Sequence, residues 1–250
     1  MKKTVILIHG LRGTHHGLKY IAEQLSSEYR VLTPDLPGSG ARMELKNKTI
    51  NGYIDWLHQY ICDLKLKQKP YLAAHSMGSI VVSHYLEKYS DDVQKKVVLI
   101  SPIFRTKSSQ AINNIYYDAF SVAAHVMPKK IRTRFLRGKF LSYCVSHILT
   151  YDKTKQKQID QLHYRYSGCF SSADSLLADA KIASKQQTVI PRQNEVLLIM
   201  GAKDHLTSLK LARKKIEQYD ISISVIPNAG HLINYEKPKL IAEDIAHFIK

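Results

Sequence analysis

Cysteine is scarce in this chain of 250 residues. The three present, Cys62, Cys144 and Cys169, stand far apart with no C-x-x-C spacing. They offer neither a disulfide framework nor a zinc ribbon. Long apolar runs are missing too. The first run, residues 5–8, follows a basic Met1-Lys2-Lys3 but stops at His9-Gly10, too short for the apolar core of a signal peptide. No stretch approaches the length of a membrane span. A phosphate cradle is absent as well: Gly10-Leu11-Arg12-Gly13 has neither the G-x-G-x-x-G pattern nor the P-loop lysine. Twelve histidines show no metal-ligand spacing, so neither metal nor cofactor is expected. There is no internal repeat and no low-complexity segment. The expectation is a soluble, cytoplasmic protein.

Acidic residues are outnumbered. Asp and Glu total 21 against 37 Lys and Arg, a net charge of +16. The surplus is uneven. Residues 103–190 hold 14 Lys and Arg against 5 Asp and Glu, whereas the rest of the chain, nearly twice as long, holds 23 against 16. Most of this charge is read as a solvated surface. Attraction to an anionic membrane surface or an acidic substrate is the further option, and no nucleic-acid partner is expected from charge alone.

What is present is a repeated pattern. Lys3-Thr4-Val5-Ile6-Leu7-Ile8 is a mostly β-branched run, the mark of a strand buried on both faces. Residues 31–33, 71–74, 96–101, 195–200 and 221–226 read the same way. Between them lie helical stripes: Leu18, Ile21, Ala22 and Leu25; Ile54, Leu57, Ile61 and Leu64, with Asn51 as their cap; Leu209, Ala212 and Ile216; and Ile241, Ile245, Phe248 and Ile249. Strand and helix alternate, so the fold class is α/β, a doubly wound, mostly parallel sheet of about six strands. Residues 103–190 break the alternation with helix-like stripes and no convincing strand. Among these stripes are Ile112, Ile115, Tyr116 and Ala119. Residues 1–102 and 191–250 are therefore read as one core, and 103–190 as a helical cap inserted into it.

Four short motifs end strands, where open parallel sheets bind their ligands. They are His9-Gly10, Ala74-His75-Ser76-Met77-Gly78, Gly201-Ala202-Lys203-Asp204 and Gly230-His231. Taken singly, each has an ordinary use. Ser76 suits a helix start, Asp204 a cap near Ser208, and His231 a turn. Ala74 and Gly78 matter because a strand that turns at once into a helix needs small neighbours around its apex residue.

Together, in the order loop, Ser, long insertion, Asp, His, the motifs resemble the α/β-hydrolase family. Asp35-Leu36-Pro37-Gly38-Ser39-Gly40, and Glu236 with Pro238 after His231, extend the resemblance over nearly the whole chain. It implies Ser76 as nucleophile, His231 as its base and Asp204 as the carboxylate that orients the imidazole. Backbone N–H groups of Leu11 and Met77 are then the oxyanion hole. His9, Gly10 and His75 brace the site. Two departures stand out. The first elbow glycine is Ala74 here, and the chain starts almost at the strand ending in His9-Gly10, so a sheet of about six strands without one edge pair is expected.

The reading implied is a serine hydrolase acting on a carboxylic ester or thioester with an apolar acyl group. The small-molecule ester is its partner, with weak association to an anionic membrane surface allowed by the charge. A carbon–carbon bond hydrolase of the same fold and a non-catalytic small-molecule receptor are the alternatives. The aromatic residues of 103–190 (among them Tyr116, Phe120, Phe135, Phe140, Tyr164 and Phe170) are expected mostly to form the core of the cap. The sequence does not specify an oligomeric state.

Overall fold

A computed structural model describes residues 2–40, 43–167, 169–207, 209–219 and 221–250; the side chains of His163, Tyr164, Ser167 and Ile216 lie outside that description. Six strands form one sheet: β1 (Thr4–Ile8), β2 (Arg30–Leu32), β3 (Tyr71–His75), β4 (Lys96–Ile100), β5 (Glu195–Gly201) and β6 (Ser222–Ile226). Their order is β2-β1-β3-β4-β5-β6, and every pair is parallel. The order reverses between β1 and β3. At such a switch point the following loops diverge to opposite faces and leave a crevice beyond the strand ends. The edge strand β2 is only three residues long, with Arg30 exposed, which limits pairing with another chain.

Side-chain alternation explains why the strands are apolar throughout. Ile6, Ile8, Leu72, Ala74, Val97, Leu99, Val196 and Leu198 point to one face. They pack under α2 (Ile50–Asp63), α3 (Met77–Tyr89) and α9 (Leu209–Ile216). Val5, Leu7, Tyr71, Ala73, Val98, Ile100, Leu197 and Ile199 point to the other, under α1 (Lys19–Leu25) and α11 (Pro238–Ile249). The cap of α2 is Thr49, not Asn51. Thr49 is extended and its hydroxyl accepts from Gly52 N, whereas Asn51 already lies inside the first turn. The expected partner of Asp204, Ser208, falls outside the described residues, as does the side chain of Ile216.

Among the described residues, five α-helices and one turn of 3-10 helix (Lys153–Lys155) fill the interval between β4 and β5: α4 (Lys107–Val126), α5 (Lys129–Leu136), α6 (Lys139–Leu149), α7 (Gln156–Ser167) and α8 (Ala173–Lys185). Pro128 and Gly138 stand at the N-termini of α5 and α6, where a missing donor or side chain does no harm. The last helix of the interval is tied to the loop after β2. Lys48 Nζ lies 2.9 Å from both carboxylate oxygens of buried Asp179 in α8, and Tyr53 donates to the same carboxylate at 2.5 Å. A short four-residue helix, α10 (Ile233–Glu236), precedes α11. Among the described residues, no helix is long and apolar enough to cross a membrane.

The aromatic side chains of this interval depart from the expected core. Tyr116, Phe120, Phe135, Phe140, Tyr143 and Tyr151 are exposed, and only Phe170 of those expected inside is fully buried; the side chain of Tyr164 is outside the description. The insert's small buried cluster is instead aliphatic, Leu136, Leu176 and Leu177 with Ala124, Ala173 and Phe170. The reason is the way α4 faces its neighbour α8. Gln110 and Asn113 donate to Ser184 O, and Tyr117 donates to Leu177 O. These bonds turn the polar side of α4 inward and its Ile112, Ile115, Tyr116 and Ala119 side outward.

Candidate active site

Ser76 stands between β3 and α3 with φ +54° and ψ −120°. A side chain at positive φ is strained, and it persists here because the surroundings leave no alternative. Ser76 N donates to Ile100 O at 2.9 Å, and Ser79 N donates to Ser76 O at 2.8 Å. Gly78 is needed for the approach of β1: a Cβ there would lie 2.6 Å from His9 O and 2.7 Å from Ile8 O. Ala74, at the position of the first elbow glycine, is buried in β3 opposite Ile8, where its methyl group is accommodated.

The loops after β5 and β6 bring two further side chains to this serine. His231 Nε2 lies 2.8 Å from Ser76 Oγ, and His231 Nδ1 lies 2.8 Å from Asp204 Oδ2. An ionised carboxylate can only accept, so Nδ1 carries the proton and Nε2 is free to accept from the serine hydroxyl. The Asp204 side chain is buried, although the residue as a whole is half-buried. Its other contacts are Leu206 N at 2.9 Å, Thr207 N at 3.0 Å and the Thr207 hydroxyl at 2.7 Å. Burial would raise its pKa, but the His231 charge, the His231 bond and the two Thr207 bonds outweigh it and hold the carboxyl down at about 2. Asp204 therefore bonds its own turn and the His231 ring at once.

The residues expected to brace the site occupy distinct positions. His75 Nε2 donates to the carbonyl of His231 at 3.0 Å. Burial, helped by the nearby His231, pushes the His75 imidazole down to about 3, so it is neutral at pH 7. His9 accepts from Leu36 N at Nε2 (2.9 Å) and donates from Nδ1 to Gly10 O (2.8 Å); burial lowers its pKa as well. Met77 opens α3, so its N–H precedes the intrahelical ladder. Leu11, in the loop after β1, packs its side chain against the cluster of Leu136, Phe170 and Leu176. Among the described residues, no three metal-ligating side chains converge.

Sequence profiles add one match: the alpha/beta hydrolase fold, over residues 3–238. The chain belongs to the alpha/beta hydrolase fold family. A dihydrolipoyllysine-residue acetyltransferase component of an acetoin cleaving system from Pseudomonas putida is 24% identical over 253 residues, 98% of this chain; the chain spans 63% of that protein's length. A monoacylglycerol lipase of Homo sapiens is 22% identical over 282 residues, covering 99% of this chain and 75% of the lipase. Among solved structures, a thermophilic esterase from Thermogutta terrifontis superposes with a TM-score of 0.78 at 19% identity, covering 100% of this chain and 90% of the esterase.

Two contacts of this alpha/beta hydrolase were not legible beforehand. Arg12, next to Leu11, donates to Leu136 O at 3.0 Å and to Ser142 Oγ at 3.2 Å, tying the loop after β1 to α5 and α6. Burial pushes its guanidinium down to about 10. Glu236, fully buried, accepts from Gly230 N (3.0 Å), Tyr151 N (3.3 Å) and Asp152 N (2.9 Å). His231 N and Leu232 N both donate to Leu149 O at the end of α6. The loop carrying His231 is thus held by the helical insert, which no spacing in the sequence announces. A groove of about 610 Å³, lined by Phe104, Arg105, Thr106, His205 and Leu206, reaches Asp204 from outside.

Proposed function

We propose that the chain is a serine hydrolase cleaving a carboxylic ester or thioester through an acyl-enzyme. The observation that carries this reading is the unbroken line Ser76 Oγ, His231, Asp204, with 2.8 Å at each link, on a serine held at positive φ. A serine hydroxyl is a weak nucleophile, so it must lose its proton as it attacks. His231 Nε2 takes that proton while Ser76 Oγ bonds to the carbonyl carbon. Asp204 stabilises the imidazolium so formed. The amides of Leu11 and Met77 receive the oxyanion. On collapse the bond to the alcohol or thiol breaks, and His231 returns the proton to that leaving group. Water then attacks the acyl-enzyme, giving its proton to His231, and the acid departs as Ser76 is restored.

The apolar cluster of Leu136, Phe170 and Leu176 beside Leu11 favours an apolar acyl group, and residues 103–190 act as the cap over the site. The resemblance to a monoacylglycerol lipase and an esterase supports the same bond type. Three unpaired cysteines suit the cytoplasm. The basic surface draws the enzyme weakly to anionic membranes, where acyl esters reside. A fluorophosphonate probe tests the central claim. Wild type is labelled and Ser76→Ala is not, and a series of p-nitrophenyl esters gives the acyl length. Failure to label either protein favours a non-catalytic receptor. Labelling without ester turnover, together with cleavage of vinylogous diketones, favours a carbon–carbon hydrolase.

A further inference from the structure

Helix α4 is amphipathic the wrong way round for a core helix. Its inward face is largely polar: Gln110, Asn113 and Tyr117 make the bonds to α8, and Ala124 joins the insert's buried apolar cluster. Its outward face carries Ile112, Ile115, Tyr116, Ala119, Val122 and Val126, recurring at three- and four-residue steps over almost four turns, all exposed. Ile115 is 68% exposed, Tyr116 72% and Val126 80%. The pattern continues into Ile131 and Phe135 of α5 and Phe140 of α6, also exposed. By contrast, among the described residues the α/β core leaves only Met43, Leu206 and Leu240 of its large apolar side chains exposed. An apolar surface of this extent marks an interaction site.

Charge decides between its occupants. From residue 107 to residue 149 there are seven Lys and Arg and a single acid, Asp118; Arg132 is buried against Asp174, and the other six are exposed, five of them between residues 129 and 139. Two copies meeting through this face would bring like charges together. An anionic lipid surface would instead accept them, while the aliphatic and aromatic tips enter the acyl boundary, the arrangement of helices that lie in a membrane interface. We propose that the outward face of α4, continued by α5 and α6, seats the protein on an anionic membrane through apolar insertion. Only its electrostatic part rests on the attraction proposed above. The insertion is an added claim that does not depend on which bond is cleaved.

Binding to vesicles of phosphatidylcholine, with and without phosphatidylglycerol, is measured by flotation at low and high salt. Wild type binds anionic vesicles at least about tenfold better than neutral ones at low salt, and part of that binding survives at high salt. Ile115→Glu/Val122→Glu removes the surviving part. Because both positions are exposed, the variant keeps its circular dichroism spectrum, its melting temperature and its turnover of a water-soluble short-chain ester. Lys129→Gln/Lys130→Gln/Arg134→Gln removes the salt-sensitive part instead. Equal vesicle binding by wild type and Ile115→Glu/Val122→Glu overturns the inference. So does a dimer in sedimentation that this double substitution abolishes, since the face would then belong to a second copy. Wild type that binds anionic vesicles at low salt and not at all at high salt also overturns the insertion, while leaving the electrostatic attraction standing.

Discussion

Gly10 presses directly on Ser76: a methyl group on Gly10 would stand 2.9 Å from Ser76 Cβ and 3.2 Å from both Nδ1 and the carbonyl oxygen of His75. The loop that ends β1 and the turn that ends β3 are therefore in contact across the switch point, with no room for a side chain between them. Gly10→Ala must displace one of them. A shift of about 1 Å in a reacting geometry costs on the order of a hundredfold in rate. Steady-state kinetics on a soluble ester should show that loss in kcat/KM, with the fold retained by circular dichroism.

Asp204→Asn keeps an acceptor for Leu206 N and Thr207 N, so the turn survives. It removes the carboxylate facing His231 and permits the wrong imidazole tautomer. The expected loss in kcat is about 10⁴. Fluorophosphonate labelling should slow in proportion. Unchanged labelling would mean that His231 does not activate Ser76.

Acid should destabilise the fold through His75. Its pKa falls from an ordinary 6.5 to about 3, because the buried ring resists protonation. The unfolded chain takes up this proton below pH 6.5, while the folded chain refuses it until about pH 3. Stability is thus fully present above 6.5 and declines as the pH falls towards 3, by an amount on the order of a few kcal/mol. Asp204 adds a loss of the same sign lower down, between an ordinary 3.8 and about 2. Urea denaturation across this range measures the slope. His75→Gln, which can still donate to His231 O but does not titrate, should flatten the part between 6.5 and 3.

Glu236 gathers three backbone N–H groups, and a glutamine has only one carbonyl oxygen to offer them. Glu236→Gln should leave at least one buried donor unsatisfied, a cost of about 1–3 kcal/mol. At about 2–4 °C per kcal/mol for a chain near this size, the melting temperature should fall by several degrees. Because Gly230 adjoins His231, kcat should fall while KM changes little. A stability loss with kcat intact would confine Glu236 to fastening the insert.

The strands, their order along the chain and the placing of Ser76, Asp204 and His231 just after strand ends were legible from the sequence. Each depends on a local rule: a continuous apolar run needs cover on both faces, and a serine at a strand-to-helix turn needs small neighbours. Helix α2 was legible too, but its cap was not, since Thr49 and Asn51 are both good capping residues and only the backbone entering at Thr49 is extended. Which side of α4 faces α8 was beyond a rule that turns apolar stripes inward, because the three bonds to Ser184 and Leu177 carbonyls lie in a helix more than fifty residues away. The same holds for Arg12 with Leu136 and for Glu236 with Tyr151, contacts over 124 and 85 residues. The sequence by itself determined the α/β alternation and the chemistry available at the strand ends. Tertiary structure alone decided how the helical insert grips the loops bearing Leu11 and His231, and which of its faces is left exposed. Each of these bonds joins a side chain to a backbone carbonyl or amide far along the chain, and a backbone group carries no residue-type signature, so nothing in the order of the amino acids could have announced them.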